Sequence, residues 1–492
     1  MYRLVLYYLI VLLFASLVFG FFHLLPYSPE IILFSTFLIL LACYAGNIIF
    51  AKAFGAVTNT ESIYITALIL ALIIAPVASG DYAGVGFLIF ASLWAMGSKY
   101  IFAIGKKHVF NPAAFGIALS AIVIGQSATW WVAGNLILLP FVLIGGLLIV
   151  RKIHRFDLVS SFFIVSLLTI CLTSSSLNYG NTIIQTMLHS SFFFLALVML
   201  TEPLTMPASR IARIFYGVIV GILFAPNIHF GSYYLTPEIA LLIGNIFVYF
   251  GSTKGRFMLT LKEKLKISAD EYDFVFASDR LFSFRPGQYL EWTLGHKHPD
   301  NRGNRRYFTI ASSPTENEVH LGVKFYEPAS TYKRALLSMN IGDTISVSSL
   351  AGDFVLPKNK KKKLVFVAGG IGITPFRSMV QYMIDNKDSR EAILFYSNKT
   401  FDEVAYKDTF DRADREIGFK TIYALTNETK QIPGMVSGQI NGVLIAREIP
   451  DYKNRTFYLS GPRGMVEGFK KTLKTMGVPW WRIKSDYFPG FA

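Results

Sequence analysis

The sequence predicts a polytopic α-helical membrane bundle of about ten transmembrane helices, followed by a soluble antiparallel β-barrel domain and an α/β domain with a parallel sheet. Three observations carry this reading. Charge is split between the halves: residues 1–250 hold ten Lys/Arg and six Asp/Glu, and residues 251–492 hold 37 and 26. Apolar runs of spanning length fill the first half. In the second half the pattern changes to short alternating strands and then to strands alternating with helices. A chain of 492 residues is also too long for one ordinary domain.

A bilayer-crossing helix needs about 20 mostly apolar residues. Ten segments are read as spans, near residues 4–25, 31–51, 62–79, 83–104, 111–126, 130–150, 157–175, 182–201, 211–226 and 233–252. Residues 4–25 exceed a signal-peptide core and have no small-residue cleavage site before the next span, so they are expected to remain as a first helix. Ten spans put both termini on one side. With that side cytoplasmic, the inside loops hold Lys52, Lys99, Lys106, Lys107, Arg151, Lys152, Arg155, Arg210 and Arg213. The outside loops, around Ser28, Asp81, Ser127, Asn178 and Tyr233, hold no Lys or Arg. Loop charge that falls entirely inside is the signature of this topology. The expected location is the cytoplasmic membrane, multi-pass, with the N-terminus and the C-terminal domains in the cytoplasm.

Composition excludes several classes. Charged residues make up 16%, against about 25% in soluble proteins. The net charge of +15 comes from membrane-end residues and the run Lys360 to Lys363, with no basic and aromatic stripe for nucleic acid. A loop or junction near anionic lipid accounts for it. Two cysteines, Cys43 and Cys171, fall short of an iron–sulfur cluster and of a Cys-rich zinc site, so no metal site is expected. In the membrane half His23, His108, His154, His189 and His229 never share a predicted helix, which excludes paired haems.

Two irregular segments interrupt the apolar half. HVFNPAAFG (108–116) contains Asn111 and Pro112, and LTEPLTMP (200–207) contains Glu202 and Pro203. Each places Pro where a helix starts or ends. Irregular backbone at membrane depth survives when it is buried in protein or lines a cavity, and paired broken segments point to a central site; two Pro-capped loops explain the pattern equally. These segments resemble the signatures of a membrane subunit family shared by the sodium-pumping NADH:quinone oxidoreductase (its B subunit) and the Rnf complex (its D subunit), over residues 30–252. Glu202-Pro203 stands where that family usually has Asp-Pro. The resemblance implies a flavin-carrying bundle that passes electrons through the membrane. Its attachment loop for covalent FMN is reduced here to GQSATWWVAG, with Thr129 the one candidate. The expectation is no covalent FMN, and a noncovalent flavin (FMN or riboflavin) between the broken segments.

In the soluble half, RFMLTLKEKLKI, YDFVFAS, HLGVKFY and DTISVSS read as barrel strands, and KLVFVAGG, AILFYSN, FKTIYAL and RTFYLSG as parallel strands followed by helices. Five places carry chemistry. RPGQYL (285–290) ends in the barrel. In RRYFTIASSP, alternation sends Arg306 and Phe308 to one face, where Arg pairs with a phosphate and the aromatic covers a flavin ring. Ser330 and Thr331 precede a helix and offer hydroxyls and free N–H groups to a pyrophosphate. VAGGIGITPFRSM is a strand, a Gly-rich turn and a helix that a dinucleotide backbone can approach. The tail DYFPGFA is aromatic-rich. Singly these are weak; their order and spacing carry the weight.

That ordered set resembles the ferredoxin–NADP reductase superfamily over residues 257–492. The resemblance implies an FAD-binding barrel (257–357), an NAD(P)-binding domain (361–485) and a tail (486–492) covering the flavin, with residues 1–252 forming the membrane domain. Arg306, Tyr307, Phe308 and Thr309 match its flavin motif, with Phe308 in place of Tyr and the Thr309 hydroxyl directed at flavin N5. Ser330 and Thr331 match its pyrophosphate segment. Gly369, Gly370, Gly372, Thr374 and Pro375 match its dinucleotide loop. Ser460, Gly461 and Pro462 match a loop near the nicotinamide, without the family's Cys. Phe488 and Phe491 would shield the flavin. Thr309, Phe308, Ser460 and Phe488 are the expected catalytic set.

NADH and NADPH are not separated: Ser397 and Lys399 suit a 2′-phosphate, and Lys399 reads equally as a solvated charge. The expected function is a membrane-bound NAD(P)H-oxidising flavoenzyme that passes electrons from FAD to a membrane flavin, a quinone or redox partner protein, or an acceptor outside. Two alternatives stay open: a redox-driven Na⁺ or H⁺ pump, and a transporter regulated by a flavin domain. Glu30, Glu61, Asp81, Asp157, Glu202 and Glu238 lie near helix ends, which weakens the pump.

Overall fold

The computed structural model describes residues 2–487 apart from 57–59, 105–106, 175–178, 208, 232, 252–256, 281, 298–299, 301–302 and 430. The chain forms two compact units, Met1–Gly255 and Arg256–Ala492. The tail residues Phe488 and Phe491 lie outside the described residues.

The first unit is helical: α1 (Tyr2–Phe21), α2 (Pro29–Ala53), α3 (Thr60–Ile73), α4 (Tyr82–Ile101), a hairpin of β1 (Ala103–Ile104) and β2 (Lys107–His108), α5 (Pro112–Ile124), α6 (Leu139–Ile153), α7 (Phe156–Thr173), α8 (Tyr179–Leu188), α9 (Phe192–Phe194), α10 (Arg210–Phe224), a hairpin of β3 (His229–Phe230) and β4 (Tyr233–Tyr234), and α11 (Pro237–Gly251). A π-helical turn, Leu195–Met199, extends α9. One order of parts occurs twice. A helix, a two-residue-per-strand hairpin and an X-Pro step precede both α5 and α11. In each copy the residue before Pro caps the helix: Asn111 Oδ1 accepts from Ala114 N at 3.0 Å and Thr236 Oγ1 from Ile239 N at 3.4 Å.

Helix occurs within every segment expected to span, but length differs. Among the described residues four helices are long and apolar enough to cross a bilayer: Arg3–Phe21, Pro29–Ala53, Tyr82–Ile101 and Phe156–Thr173. The pair α8 and α9 makes a fifth if its 62° bend lies within one span. The segment expected as one helix over 182–201 is therefore broken. Ser190 explains the break, because its hydroxyl donates to the Thr186 carbonyl and accepts from Phe192 N at 3.2 Å, ending one helix and starting the next. Proline shortens another: Pro237 starts α11 four residues after the span expected to begin at 233.

The second unit contains β5 (Phe257–Lys266), β6 (Glu271–Ser278), β7 (Tyr289–Thr293), β8 (Arg305–Thr309), β9 (Val319–Lys324), α12 (Thr331–Leu337) and β10 (Thr344–Ala351). These strands form one antiparallel sheet in the order β8-β7-β10-β5-β6-β9. Its edge strands come together where Ala311 N donates to His320 O at 2.9 Å. Period-2 alternation places Leu259, Phe274, Phe276, Leu290, Trp292 and Val347 inside, with α12 contributing Tyr332 and Leu336. Each such side chain stabilises the fold by about 1.5–3 kcal/mol.

Then follow β11 (Leu364–Gly369), α13 (Thr374–Asp385), β12 (Ala392–Asn398), α14 (Lys407–Ile417), β13 (Lys420–Leu425), β14 (Val436–Ser437), α15 (Gly442–Glu448), β15 (Thr456–Gly461), α16 (Arg463–Thr475) and β16 (Ile483–Tyr487). All pairings are parallel, in the order β14-β13-β12-β11-β15-β16. The strand β11 is buried along its whole length, as a strand covered on both faces must be. The chain winds outward from β11 in both directions, so the carboxyl ends of β11 and β15 flank a topological switch point. Crevices at such points take ligands in open α/β sheets.

Candidate functional site

The switch point holds the expected dinucleotide segment. Gly370–Ile373 is a 3₁₀ turn between β11 and α13, with Thr374 and Pro375 opening α13. The Ser460–Pro462 segment ends β15 directly opposite. A Cβ on Gly372 would sit 2.6 Å from Gly461 Cα and from Ser460 O, so the two backbones touch and only glycine fits. The Ser460 hydroxyl is buried without a hydrogen-bond partner. These features fit a dinucleotide phosphate and a nicotinamide edge.

The flavin motif lies on the neighbouring sheet. Pairing of β7 with β8 puts Arg306 and Phe308 opposite Trp292 and Leu290, and Tyr307 and Thr309 opposite Glu291 and Tyr289. The half-buried Phe308 packs one side on the barrel core and on Tyr332, at 6.0 Å. Its neighbour Tyr307 is 55% exposed and its hydroxyl bonds Glu291 at 2.7 Å. The Thr309 hydroxyl is buried and unpartnered. Arg306 rests its guanidinium 5.0 Å from the Tyr332 ring centre and bonds Asp300 at 3.2 Å. Ser330 caps the short helix α12 through Lys333 N, and Thr331 Oγ1 accepts from Asp300 N at 3.0 Å. Arg306, Ser330 and Thr331 thus gather at one place, as a phosphate site needs, and the buried, unpartnered hydroxyl of Thr309 is a donor in search of an acceptor such as a flavin ring edge.

What joins the two motifs is a contact the sequence did not announce. Arg377 on α13 donates to the Ala311 carbonyl at 3.3 Å and pairs with Glu316 at 2.8 Å. Ser378 donates to Ser312 O at 2.6 Å. The strand that ends at Thr309 is thereby clamped to the helix that begins at Thr374. Gly322 on β9 completes the docking, because a Cβ there would lie 2.6 Å from both Thr374 Cγ2 and Tyr406 Oη.

Three more residues were not singled out from sequence. Asp486 sits beside Ser460 in the ladder, with one carboxylate oxygen buried and unpartnered; burial pushes its carboxyl up to about 6. Glu271 is fully buried, its oxygens unbonded and Lys324 Nζ 3.6 Å away; burial pushes it up to about 7. Asn398 ends β12 with both amide atoms buried and unpartnered, between Ser397 and the exposed Lys399. Only its place beside Ser397 and Lys399 hinted at it.

In the first unit the two irregular segments meet. Asn111 Nδ2 donates to Glu202 Oε2 at 2.8 Å, and His108 Nε2 stands 3.4 Å from Glu202 Oε1. Asn245 on α11 accepts from Asn111 N at 2.8 Å and donates to Tyr216 Oη at 3.0 Å. A cleft beside them is lined by Val5, Ser62, Ile69, Pro112, Val198 and Pro203 among others. Apolar walls with a few convergent polar groups are the usual lining of a small-molecule site. Thr129 is exposed, and its N–H and that of Trp130 donate to Ile73 O at 3.1 and 2.8 Å.

Comparison with known families assigns the segments. Residues 133–250 match the NQR2, RnfD, RnfE family, residues 258–356 an oxidoreductase FAD-binding domain, and residues 366–471 an oxidoreductase NAD-binding domain. The chain joins an NQR2/RnfD/RnfE-family segment to a reductase module of the ferredoxin reductase type. This fusion is similar to the flavohemoprotein of Oceanobacillus iheyensis, 25% identical over 234 residues that cover 46% of this chain and 57% of the relative. It is similar also to the reductase component of propane 2-monooxygenase from Rhodococcus jostii, 25% identical over 213 residues, 42% and 56% of the two chains. The fusion thus spans little more than half the length of these relatives. NADH-cytochrome b5 reductase 1 of Emericella nidulans is 27% identical over 246 residues, 46% of the fusion and 79% of that protein.

Proposed function

We propose that the protein is a membrane-bound NAD(P)H-oxidising flavoenzyme, an NAD(P)H:acceptor reductase, which loads electrons at the crevice of its second unit and delivers them to an acceptor through its first. One observation carries the reading: the Arg377 and Ser378 clamp fastens the segment that follows Thr309 to the helix that opens at Thr374, which supports a site shared by the expected flavin motif and dinucleotide loop. Residues 257–357 would hold FAD, residues 361–485 NAD(P)H, and the tail 486–492 would cover the flavin. Bound FAD supplies a two-electron acceptor that releases electrons one at a time.

The chain's own residues then do the following. Arg306, Ser330 and Thr331 hold phosphate. Phe308 would cover the ring, with Tyr307 beside it in the motif, and the unpartnered hydroxyl of Thr309 would donate to the reacting edge. The Gly369, Gly370 and Gly372 turn lets the dinucleotide backbone approach, with Thr374 and Pro375 opening the helix behind it. Ser460, with Gly461 and Pro462, orients the nicotinamide. Asp486 stands next to Ser460 as a group that gains or loses a proton near neutral pH. Ser397 and Lys399 would lie toward the adenosine end, where they suit a 2′-phosphate without separating NADPH from NADH. In the first unit, Asn111, Pro112, Glu202 and Pro203 border a site for a noncovalent flavin or a quinone.

The test is anaerobic titration of the purified full chain with NADH and with NADPH, counting flavins and offering a quinone. Flavin bleaching followed by quinone reduction supports the reading. A single flavin that reduces no acceptor would instead favour a transporter regulated by its flavin domain.

A further inference from the structure

We propose that the amino-terminal edge of the parallel sheet in the second unit docks on an anionic lipid surface. This surface lies at the opposite end of the strands from the dinucleotide crevice. Trp480 and Trp481 form the turn that enters β16, whose first residue Ile483 pairs with Phe457. They are 72% and 65% exposed. Nearby, Val443 is 79% exposed on the first turn of α15, where a Cβ on Gly442 would meet Met476 Sδ at 3.0 Å. At the same edge the exposed run Lys358 to Lys363 enters β11, which pairs with β15. Lys360 and Lys363 are paired with Asp388, Glu391 and Asp451. Lys358, Lys361 and Lys362 have no ion pair among the described residues.

Adjacent exposed tryptophans are unfavourable in water and suit the bilayer interface, where the ring is half-solvated. Lysines beside them gain from anionic headgroups, about fivefold in binding for each. The covalent chain keeps lipid within reach. The apolar helix α11 ends at Gly251 and β5 begins at Phe257, so the link between them extends at most about 20 Å. A tether that short turns weak surface affinity into substantial occupancy. Docking by this edge leaves the dinucleotide crevice open to water, where a soluble nucleotide arrives.

Amide hydrogen exchange of the full-length protein tests this in nanodiscs of neutral phosphatidylcholine, in nanodiscs with added phosphatidylglycerol, and in detergent. The expected result is about tenfold slower exchange of residues 478–483 and 359–363 in the anionic nanodiscs alone. Trp480→Ser/Trp481→Ser and Lys361→Glu/Lys362→Glu should each abolish that protection. Both should leave the rate of flavin reduction by NAD(P)H unchanged, which also shows that they fold. Equal protection in all three media would mean that the chain itself, not lipid, shields the edge and would overturn the lipid assignment, as would no protection in any of them.

Discussion

Replacing Glu271 with Gln should make the stability of the second unit less dependent on pH. Glu271 is fully buried, and burial lifts its carboxyl from 4.5 to about 7. Each pKa unit corresponds to about 1.4 kcal/mol, so keeping this group ionised costs the folded state about 3 kcal/mol. The folded chain holds the proton more tightly than the unfolded chain. Stability therefore falls as pH rises from the unfolded value through about 7, and the cost is fully present above it. Gln keeps the shape and never ionises. Lys324 is not stranded by the change, because Glu403 remains at 2.9 Å. For a unit of this size about 3 kcal/mol corresponds to roughly 6–12 °C in melting temperature. The assay is release of FAD fluorescence on heating the full chain in detergent across a pH series. The variant should melt above the wild type by that margin near pH 8.5, with the gap closing near pH 5. Parallel curves at all pH values would refute the reasoning, since they would mean that Glu271 ionises as freely folded as unfolded.

Four further outcomes are expected. Thr309→Ala removes the unpartnered hydroxyl proposed for the flavin edge and should slow anaerobic flavin reduction by roughly tenfold to a hundredfold in stopped flow, with FAD still bound. Asp486→Asn should flatten the pH profile of that same step, which in the wild type should change across about pH 6. Gly372→Ala forces a methyl into the Ser460–Gly461 backbone, at a strain of about 1–3 kcal/mol. It should weaken nucleotide binding, measured by titration, more than it affects FAD content. Glu202→Gln loses the carboxylate that receives Asn111 and should impair reduction of a quinone while leaving flavin bleaching by NAD(P)H intact; equal loss of both would argue against an electron path through the first unit.

Much of the reductase module was legible because its chemistry is local. Strand, Gly-rich turn and helix occur within Leu364–Asp385, and the hydroxyl and arginine spacing of β8 lies within five residues. The spans were less so. An apolar run states that a segment is buried or in lipid, and says little of where Ser190 breaks a helix or Pro237 starts one. Alternation along β8 was legible, yet alternation does not say which face looks into the core; the ladder with β7 decides that Phe308 lies on the side of Leu290 and Tyr307 on the side of Glu291.

The sequence by itself determined the two-part character of the chain, its loop charges, and the glycines and hydroxyls of the crevice, because each depends on residue type and on neighbours a few positions away. Tertiary structure alone decided that Arg377 reaches Ala311 and Glu316, that Asn111 meets Glu202 across 91 residues, and that Asp486 stands beside Ser460. Those contacts depend on strand order and on the angle at which helices return. No residue type or local spacing encodes them, because they arise only when distant segments compete to bury the same surfaces.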